Sequence, residues 1–281
     1  MFKIVKKRVL NEQMTHLSIE APFIARKAKA GQFIILRIDE FGERIPLTVA
    51  GTDPQNGTVD IIYQTVGYTT KLLNTLEQGD YLLDVVGPLG KASELEGYKN
   101  AVVIGGGTGT AIALPQAKAL KNLGTKVTMV SGFRNKDLII LEEEMAAASD
   151  RLVIMTDDGS NGHKGFVTNA LEKLIQQDPT IDFVVAIGPI PMMKAVCELT
   201  KKYNIKTMIS MNSTMIDGTG MCGGCRVTVG GKIKFACVDG PDFDGHEVDF
   251  DEAMKRGKMY YDEEREAATH PCRLLGGNHN G

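Results

Sequence analysis

Between Asn100 and Met211 short apolar runs alternate with segments of helical period, and this alternation restricts the fold more than any other feature. The runs are Asn100–Ile104, Lys126–Ser131, Leu152–Thr156, Phe183–Ile187 and Thr207–Met211. Helical patterns separate them, from about Thr110 to Leu123, Leu141 to Ala148, Val167 to Gln176 and Pro191 to Lys202. Five strands alternating with helices imply a parallel, doubly wound sheet whose ligands bind at the carboxyl ends of the strands.

The residues at those ends are Gly105-Gly106-Gly107-Thr108-Gly109, Gly132-Phe-Arg134, Asp157-Asp158-Gly-Ser160 and Gly188-Pro189. Strand, glycine turn and helix in succession make a nucleotide cradle, because backbone approaches the pyrophosphate closely and the helix dipole faces it. The loop is not a strict G-x-G-x-x-G and lacks the Lys-Ser/Thr of a P-loop, so a tight structural turn is the alternative. Asp157 and Asp158 either cap their loop or bind a ribose. Arg134 follows a strand end, where it would meet a 2′-phosphate. Met192 and Met193 read as core.

Residues 2–97 show short alternating runs between turns: Phe2–Val9, Met14–Ile19, Gln32–Ile38, Arg44–Ala50, Thr58–Gln64 and Tyr81–Val86. Such spacing predicts a small antiparallel barrel, with Lys71–Leu76 as its one helical piece. Arg44-Ile-Pro46-Leu47-Thr48 sets a hydroxyl on a strand beside a guanidinium, and Pro46 suggests a sheet edge. Gly67-Tyr-Thr69-Thr70 opens the helix as a usable anion site, with a plain N-cap as the alternative.

Three of the five cysteines lie in Cys222-x2-Cys225-x11-Cys237, with glycines between the first two. Thiolates and inward-turned backbone N–H groups suit an iron–sulfur cluster. Asp217 stands five residues before Cys222, where a plant-type spacing would place the missing thiolate. A 2Fe–2S site with one carboxylate ligand is therefore expected. A zinc site closed by Asp or His, or free thiols, are the other readings. Cys272 ranks behind Asp217 as fourth ligand on spacing.

The chain has 281 residues and a net charge of −3, which gives no reason to expect nucleic acid or a membrane surface as a partner. It contains no apolar run of membrane-spanning length and no secretory start. An odd cysteine count with a tight cluster fits a reducing compartment, by default the cytoplasm. Lys255 to Thr269 reads as an amphipathic charged helix offering Met259, Tyr260 and Tyr261 as contacts.

Taken in order, these motifs resemble the ferredoxin–NAD(P) reductase superfamily, in its branch of small electron-transfer subunits. The resemblance covers residues 1 to about 250. It implies a β + α/β architecture: an N-terminal antiparallel FAD-binding barrel over 1–98, a doubly wound parallel NAD-binding domain over 99–212, a small 2Fe–2S module over 213–250 and a C-terminal helix and tail over 251–281. The family's flavin strand, commonly Arg-Pro-x-Ser/Thr, falls on Ile45-Pro46-Leu47-Thr48, with Ile45 in the Arg slot and Arg44 beside it. Thr48 would bond the redox-active edge of the flavin, and Gly67-Tyr-Thr69-Thr70 would hold its diphosphate. Ile62, Tyr63 and Gln64, ending the preceding strand, join the cofactor-binding set.

Gly105–Gly109 matches the family's pyridine-nucleotide loop, Asp157-Asp158 its ribose segment, and Gly188-Pro189 its Cys-Gly-Pro with Ile187 in place of the Cys. The implied cofactors are FAD, NAD(H) and a 2Fe–2S cluster on Asp217, Cys222, Cys225 and Cys237. No general acid or base is implied. Dihydroorotate-type subunits resemble this chain but carry cysteine at the Asp217 position. An Asp with three cysteines is similar to the bifurcating ferredoxin:NADP oxidoreductase branch. That implies a heterodimer with a larger flavin and iron–sulfur subunit, on which ferredoxin and NADP(H) react. Electron-transfer subunits of dihydroorotate dehydrogenase B or sulfhydrogenase, and a zinc-stabilised nucleotide-binding module, are the alternatives.

Overall fold

A computed structural model describes residues 1–263. Cys272 and residues 264–269 of the segment expected to be helical lie outside the described residues. Seven strands, β1 (Phe2–Asn11), β2 (Met14–Glu20), β3 (Phe33–Arg37), β4 (Ile45–Asp53), β5 (Thr58–Gln64), β6 (Tyr81–Leu82) and β7 (Asp84–Leu89), form one sheet. Their order is β6-β1-β2-β5-β4-β3-β7, with every neighbouring pair antiparallel. Alternate side chains point to one interior: Leu17 and Ile19 from β2, Ile34 and Leu36 from β3, Val59, Ile61 and Tyr63 from β5. The period of two read from the sequence thus curls the sheet into a barrel around a single core. Helices α1 (Pro22–Lys27) and α2 (Tyr68–Thr75) plug it.

The edge expected at Pro46 needs refinement. β4 lies between β3 and β5, yet its pairing with β5 begins only at Val49, while Pro46 stands opposite Ile35 of β3. Proline fits there because the β5 side asks no donor of it.

In the α/β part, β8 (Asn100–Gly106), β9 (Lys126–Phe133), β10 (Arg151–Thr156), β11 (Phe183–Ile187) and β12 (Lys206–Ser210) are parallel. Helices α3 (Gly109–Asn122) and α4 (Glu142–Ala148) pack on one face with Ala101 and Val103. Helices α5 (Val167–Gln177) and α6 (Ile190–Lys202) pack on the other with Val102 and Ile104. Every residue of β8 is buried, as a central parallel strand requires. On α5 the buried positions Val167, Ala170, Leu171, Leu174 and Ile175 fall on a single helical stripe.

The C-terminal module adds β13 (Arg226–Val229), β14 (Lys232–Phe235), β15 (Asp242–Asp244) and α7 (Phe250–Arg256). Gly230 and Gly231, at φ +57° and +73°, make the two-residue turn of the β13–β14 hairpin. β15 joins the parallel sheet as an antiparallel sixth strand beside β12, an addition absent from the sequence reading. The helix expected over 255–269 is not continuous: α7 ends at Arg256 and turns follow over 257–260. Asp249 caps α7 by accepting from the Glu252 N–H, and Phe250 and Ala253 face inward.

The three parts share packing. Phe33 and Ile35 of the barrel lie in the same buried cluster as Ile104, Cys225, Cys237 and Phe243. The Lys91 N–H donates to Gly240 O at 2.7 Å and the Met211 N–H to Pro241 O at 2.9 Å. Asp242 Oδ2 accepts from Ser93 Oγ at 2.5 Å and from Gln116 Nε2 at 3.1 Å. One carboxyl thereby joins the barrel exit, α3 and the module.

Candidate functional site

Strand β4 carries Pro46, Leu47 and Thr48, half-buried and facing Ile35, Ile34 and Phe33 of β3. Arg44 precedes the strand, exposed, with no acidic partner among the described residues. At the start of α2, Thr70 Oγ1 accepts from the Gly67 N–H at 3.0 Å and the Val66 N–H at 3.1 Å, so Thr70 acts as the cap. Thr69 donates to Glu43 Oε2 at 2.6 Å, a partner 26 residues away that no local pattern links to it. A Cβ on Gly67 would meet nothing within 4 Å, leaving that turn open to a ligand.

The three residues ending β5 separate. Tyr63 is 1% exposed inside the barrel, and burial pushes its phenol well above its usual range. Strand alternation turns Ile62 the other way, into the core under α3 and α4. Tyr63 therefore offers a groove only its backbone. Gln64 donates to Gln13 Oε1 at 2.9 Å and accepts from Thr108 Oγ1 at 3.2 Å, which bridges the barrel to the glycine loop.

Three loop glycines are set by packing. A Cβ would lie 2.5 Å from Thr110 Cα at Gly105, 2.5 Å from Met192 Sδ at Gly106, and 2.3 Å from Ile187 O at Gly109. Gly107 differs: its φ is +54° and a Cβ would meet nothing within 4 Å. The loop thus presents an open face at the head of α3, the geometry that admits a pyrophosphate. Gly188 crowds the same Met192, whose Cε would lie 2.7 Å from its Cβ, and Pro189 leads into α6. Sequence reasoning assigned Met192 to the core; it is half-buried and wedged between two site turns.

The ribose candidates divide. The Ser160 hydroxyl at 2.7 Å and its N–H at 2.9 Å hold the Asp158 carboxyl below its usual range, so Asp158 caps its own loop. Asp157 is exposed, and its carboxylate has no partner among the described residues.

The four candidate ligands stand as two pairs. Cys222 Sγ lies 3.2 Å from Asp217 Oδ1, and Cys225 Sγ lies 3.2 Å from Cys237 Sγ. Burial opposes ionisation of Asp217. Donors on Thr219, Cys222 and the Met221 backbone outweigh it and hold the carboxyl well below its usual range. Burial, then the Cys225 thiol, pushes Cys237 up to about 12, so a metal binding there must displace a proton. Backbone N–H groups of Gly224 and Cys237 point at sulfur, at 3.4 and 3.5 Å. Among the described residues no three such side chains converge on a single ion. Two pairs suit two irons, each taking two protein ligands.

The cluster loop rests on the barrel. A Cβ on Gly218, φ +76°, would lie 2.9 Å from Ile35 Cγ1 and 3.0 Å from Leu89 Cδ1. Ile35 in turn faces Pro46 across the β3–β4 pair.

The iron–sulfur cluster binding domain of dihydroorotate dehydrogenase B matches residues 212–249, and the oxidoreductase NAD-binding domain matches residues 103–198. The dihydroorotate dehydrogenase B (NAD(+)) electron transfer subunit homolog of Thermotoga maritima is 47% identical over 263 residues, covering 94% of this chain and 93% of that one. The corresponding subunit of Geobacillus thermodenitrificans is 34% identical over 254 residues, covering 87% and 96%. A chain of the solved NADH-dependent reduced ferredoxin-NADP oxidoreductase, determined for insight into flavin-based electron bifurcation, superposes with a TM-score of 0.91 at 44% identity over 98% of each chain. The cytochrome b5 reductase domain of Ulva prolifera nitrate reductase shares the fold at 19% identity, with a TM-score of 0.58 over 73% of this chain and 92% of that one. With its glycine loop, its paired thiols and these relatives, the chain belongs to the electron-transfer-subunit family of dihydroorotate dehydrogenase B.

Proposed function

We propose that this chain takes electrons from NADH at its barrel and delivers them singly, through the cluster module, to a larger flavin and iron–sulfur subunit. In this reading it is the small subunit of a ferredoxin:NADP oxidoreductase. FAD, when bound, supplies the conversion between a two-electron hydride and single electrons. Thr48 faces the flavin edge, while Gly67 and Thr70 take the diphosphate at the head of α2. Gly107 and the N-terminus of α3 take the nicotinamide nucleotide's pyrophosphate, and Asp157 takes its ribose, favouring NAD(H) over NADP(H). Asp217, Cys222, Cys225 and Cys237 would hold the 2Fe–2S cluster, which supplies the one-electron step. We draw the functional units at residues 1–98, 99–212, 213–250 and 251–281.

The observation that carries this reading is the seat of Gly218 on Ile35 and Leu89. It sets the cluster loop against the strand paired with the flavin strand, so that electrons cross one shared wall. No proton donor or acceptor is required of the protein. The test is the absorption spectrum of anaerobically purified protein before and after NADH. Flavin and iron–sulfur bands that bleach with NADH support the reading. A colourless protein carrying zinc would sink it.

The bifurcating branch is preferred over a dihydroorotate dehydrogenase because the residue paired with Cys222 is a carboxylate. Ferredoxin and NADP(H) then react on the larger subunit. Replacing Asp217 with Ala should abolish or reshape the cluster's electron paramagnetic resonance signal while NADH still bleaches the flavin. An unaltered signal would remove Asp217 from the ligand set.

A further inference from the structure

A cavity of about 200 Å³ opens beside the cluster loop, between that loop, α6 and α7. Two arginines line it, Arg226 at the start of β13 and Arg256 at the end of α7. Arg256 Nη2 donates to Gly224 O at 3.1 Å, which holds the turn between Cys222 and Cys225. Among the described residues neither guanidinium has an acidic partner, although the chain as a whole is net negative. Asn212, Ser213 and Thr214 add polar groups to the wall.

The surroundings are apolar and open. Ile216 is 54% exposed, Met221 88%, Met259 52% and Tyr260 48%. Cys222, one of the proposed cluster ligands, is exposed beside them. A cationic pocket rimmed by large apolar side chains has the make-up of an interface anchor, in which a buried charge pair is sealed from water by apolar contacts. A guanidinium prefers a planar carboxylate, which it can bind through two N–H groups. A free small anion would occupy the pocket yet leave Ile216 and Met221 in water, so a protein partner fits the whole patch better.

We propose that this cavity is the socket for an acidic side chain, Asp or Glu, of the larger electron-accepting subunit. Its carboxylate seats against Arg226 and Arg256, and the surface around it covers Ile216, Met221 and Cys222. The proposal rests on the partner reading above and specifies where and by what chemistry that partner docks.

The test measures binding of the purified larger flavin and iron–sulfur subunit to the cluster-loaded chain, at low and at high salt. Arg226→Glu should weaken binding roughly ten-fold or more, with the loss smaller at high salt, while NADH still bleaches the flavin. Arg226→Lys should recover part of the affinity, and Met221→Ser should weaken binding with little change in salt dependence. Should Arg226→Glu fail to load its cluster, Arg226→Gln gives the same reading without reversed charge. Binding within about two-fold of native for these Arg226 variants, flavin and cluster bands intact, would overturn the proposal. Arg226-dependent uptake of inorganic phosphate with unaltered subunit affinity would overturn it too, by assigning the pocket to a small anion. Failure of the native chain to bind the larger subunit would instead sink the partner reading itself.

Discussion

Asp242 keeps a carboxyl out of water where the barrel exit, α3 and β15 meet. Burial pushes its pKa up to about 6 from 3.8, against the pull of hydrogen bonds from Ser93, Ser210 and Gln116. Asp242 Oδ1 and Gln116 Oε1 are both buried without a partner. The folded chain therefore holds this proton up to about pH 6, whereas the unfolded chain releases it near 3.8. Below both values the group is neutral in each state and does not affect stability. Across the interval stability falls as pH rises, and above about 6 the full cost of a buried charge remains, on the order of 3 kcal/mol. Asp242→Asn keeps the acceptor oxygen and adds an amide donor for Gln116. Its melting temperature should exceed the native one by several degrees at pH 8, the gap closing towards pH 4. A gap independent of pH would show that Asp242 is not the titrating group.

At this scale the sequence was legible where partners are near in the chain. Asp217 and Cys222, five positions apart, and Cys225 and Cys237, twelve apart, pair as their closeness in the chain allows. Ser93 and Asp242 are 149 residues apart, and no local signal joins them. Tyr63 shows the other limit: its place beside a plausible site in the sequence said nothing of which face of β5 it occupies.

Single glycines separate a packing role from a binding role in the elements. At Gly109 a Cβ would strike the Ile187 carbonyl, so Gly109→Ala should cost several kcal/mol and lower the melting temperature whatever the loop binds. At Gly107 the space is open, and Ala should cost only about 1 kcal/mol for its left-handed backbone. If the loop cradles pyrophosphate, Gly107→Ala should also raise the KM for NADH several-fold, measured with a flavin-accepting dye. A changed melting temperature with an unchanged KM would return the loop to a structural turn. Gly218→Ala belongs to the same series. Its methyl group would press on Ile35 and Leu89, lifting the cluster loop from the barrel. Electron arrival at the cluster should slow in rapid-freeze resonance measurements while flavin bleaching keeps its rate. Cluster reduction at the native rate in Gly218→Ala would mean that the contact does not set the transfer distance.

Strands and helices were legible element by element because their periods are local. The interruptions were not. β15 is only three residues long and gains its place by pairing with β12, and α7 runs from its Asp249 cap only to Arg256, where the charged pattern begins.

For the whole molecule, the order of barrel, nucleotide sheet and cluster module could be read from the succession of motifs. The sequence did not reveal that they share a core. Phe33 and Ile35 of the barrel, Ile104 of the central sheet, and Cys225 and Phe243 of the module are buried together. Each motif alone allowed a bland alternative; their common wall makes the redox reading coherent. Zinc, the surviving alternative at the cysteines, is a poor match to donors arranged as two pairs beside that wall.

In the proposed function, electrons from NADH cross from the barrel to the cluster within this one chain. An anaerobic NADH titration of the isolated protein, followed in parallel by absorption and electron paramagnetic resonance, tests it most directly. The expected result is flavin bleaching together with a reduced 2Fe–2S signal that approaches one spin per chain. Complete flavin bleaching without any cluster signal at the end of the titration would contradict it.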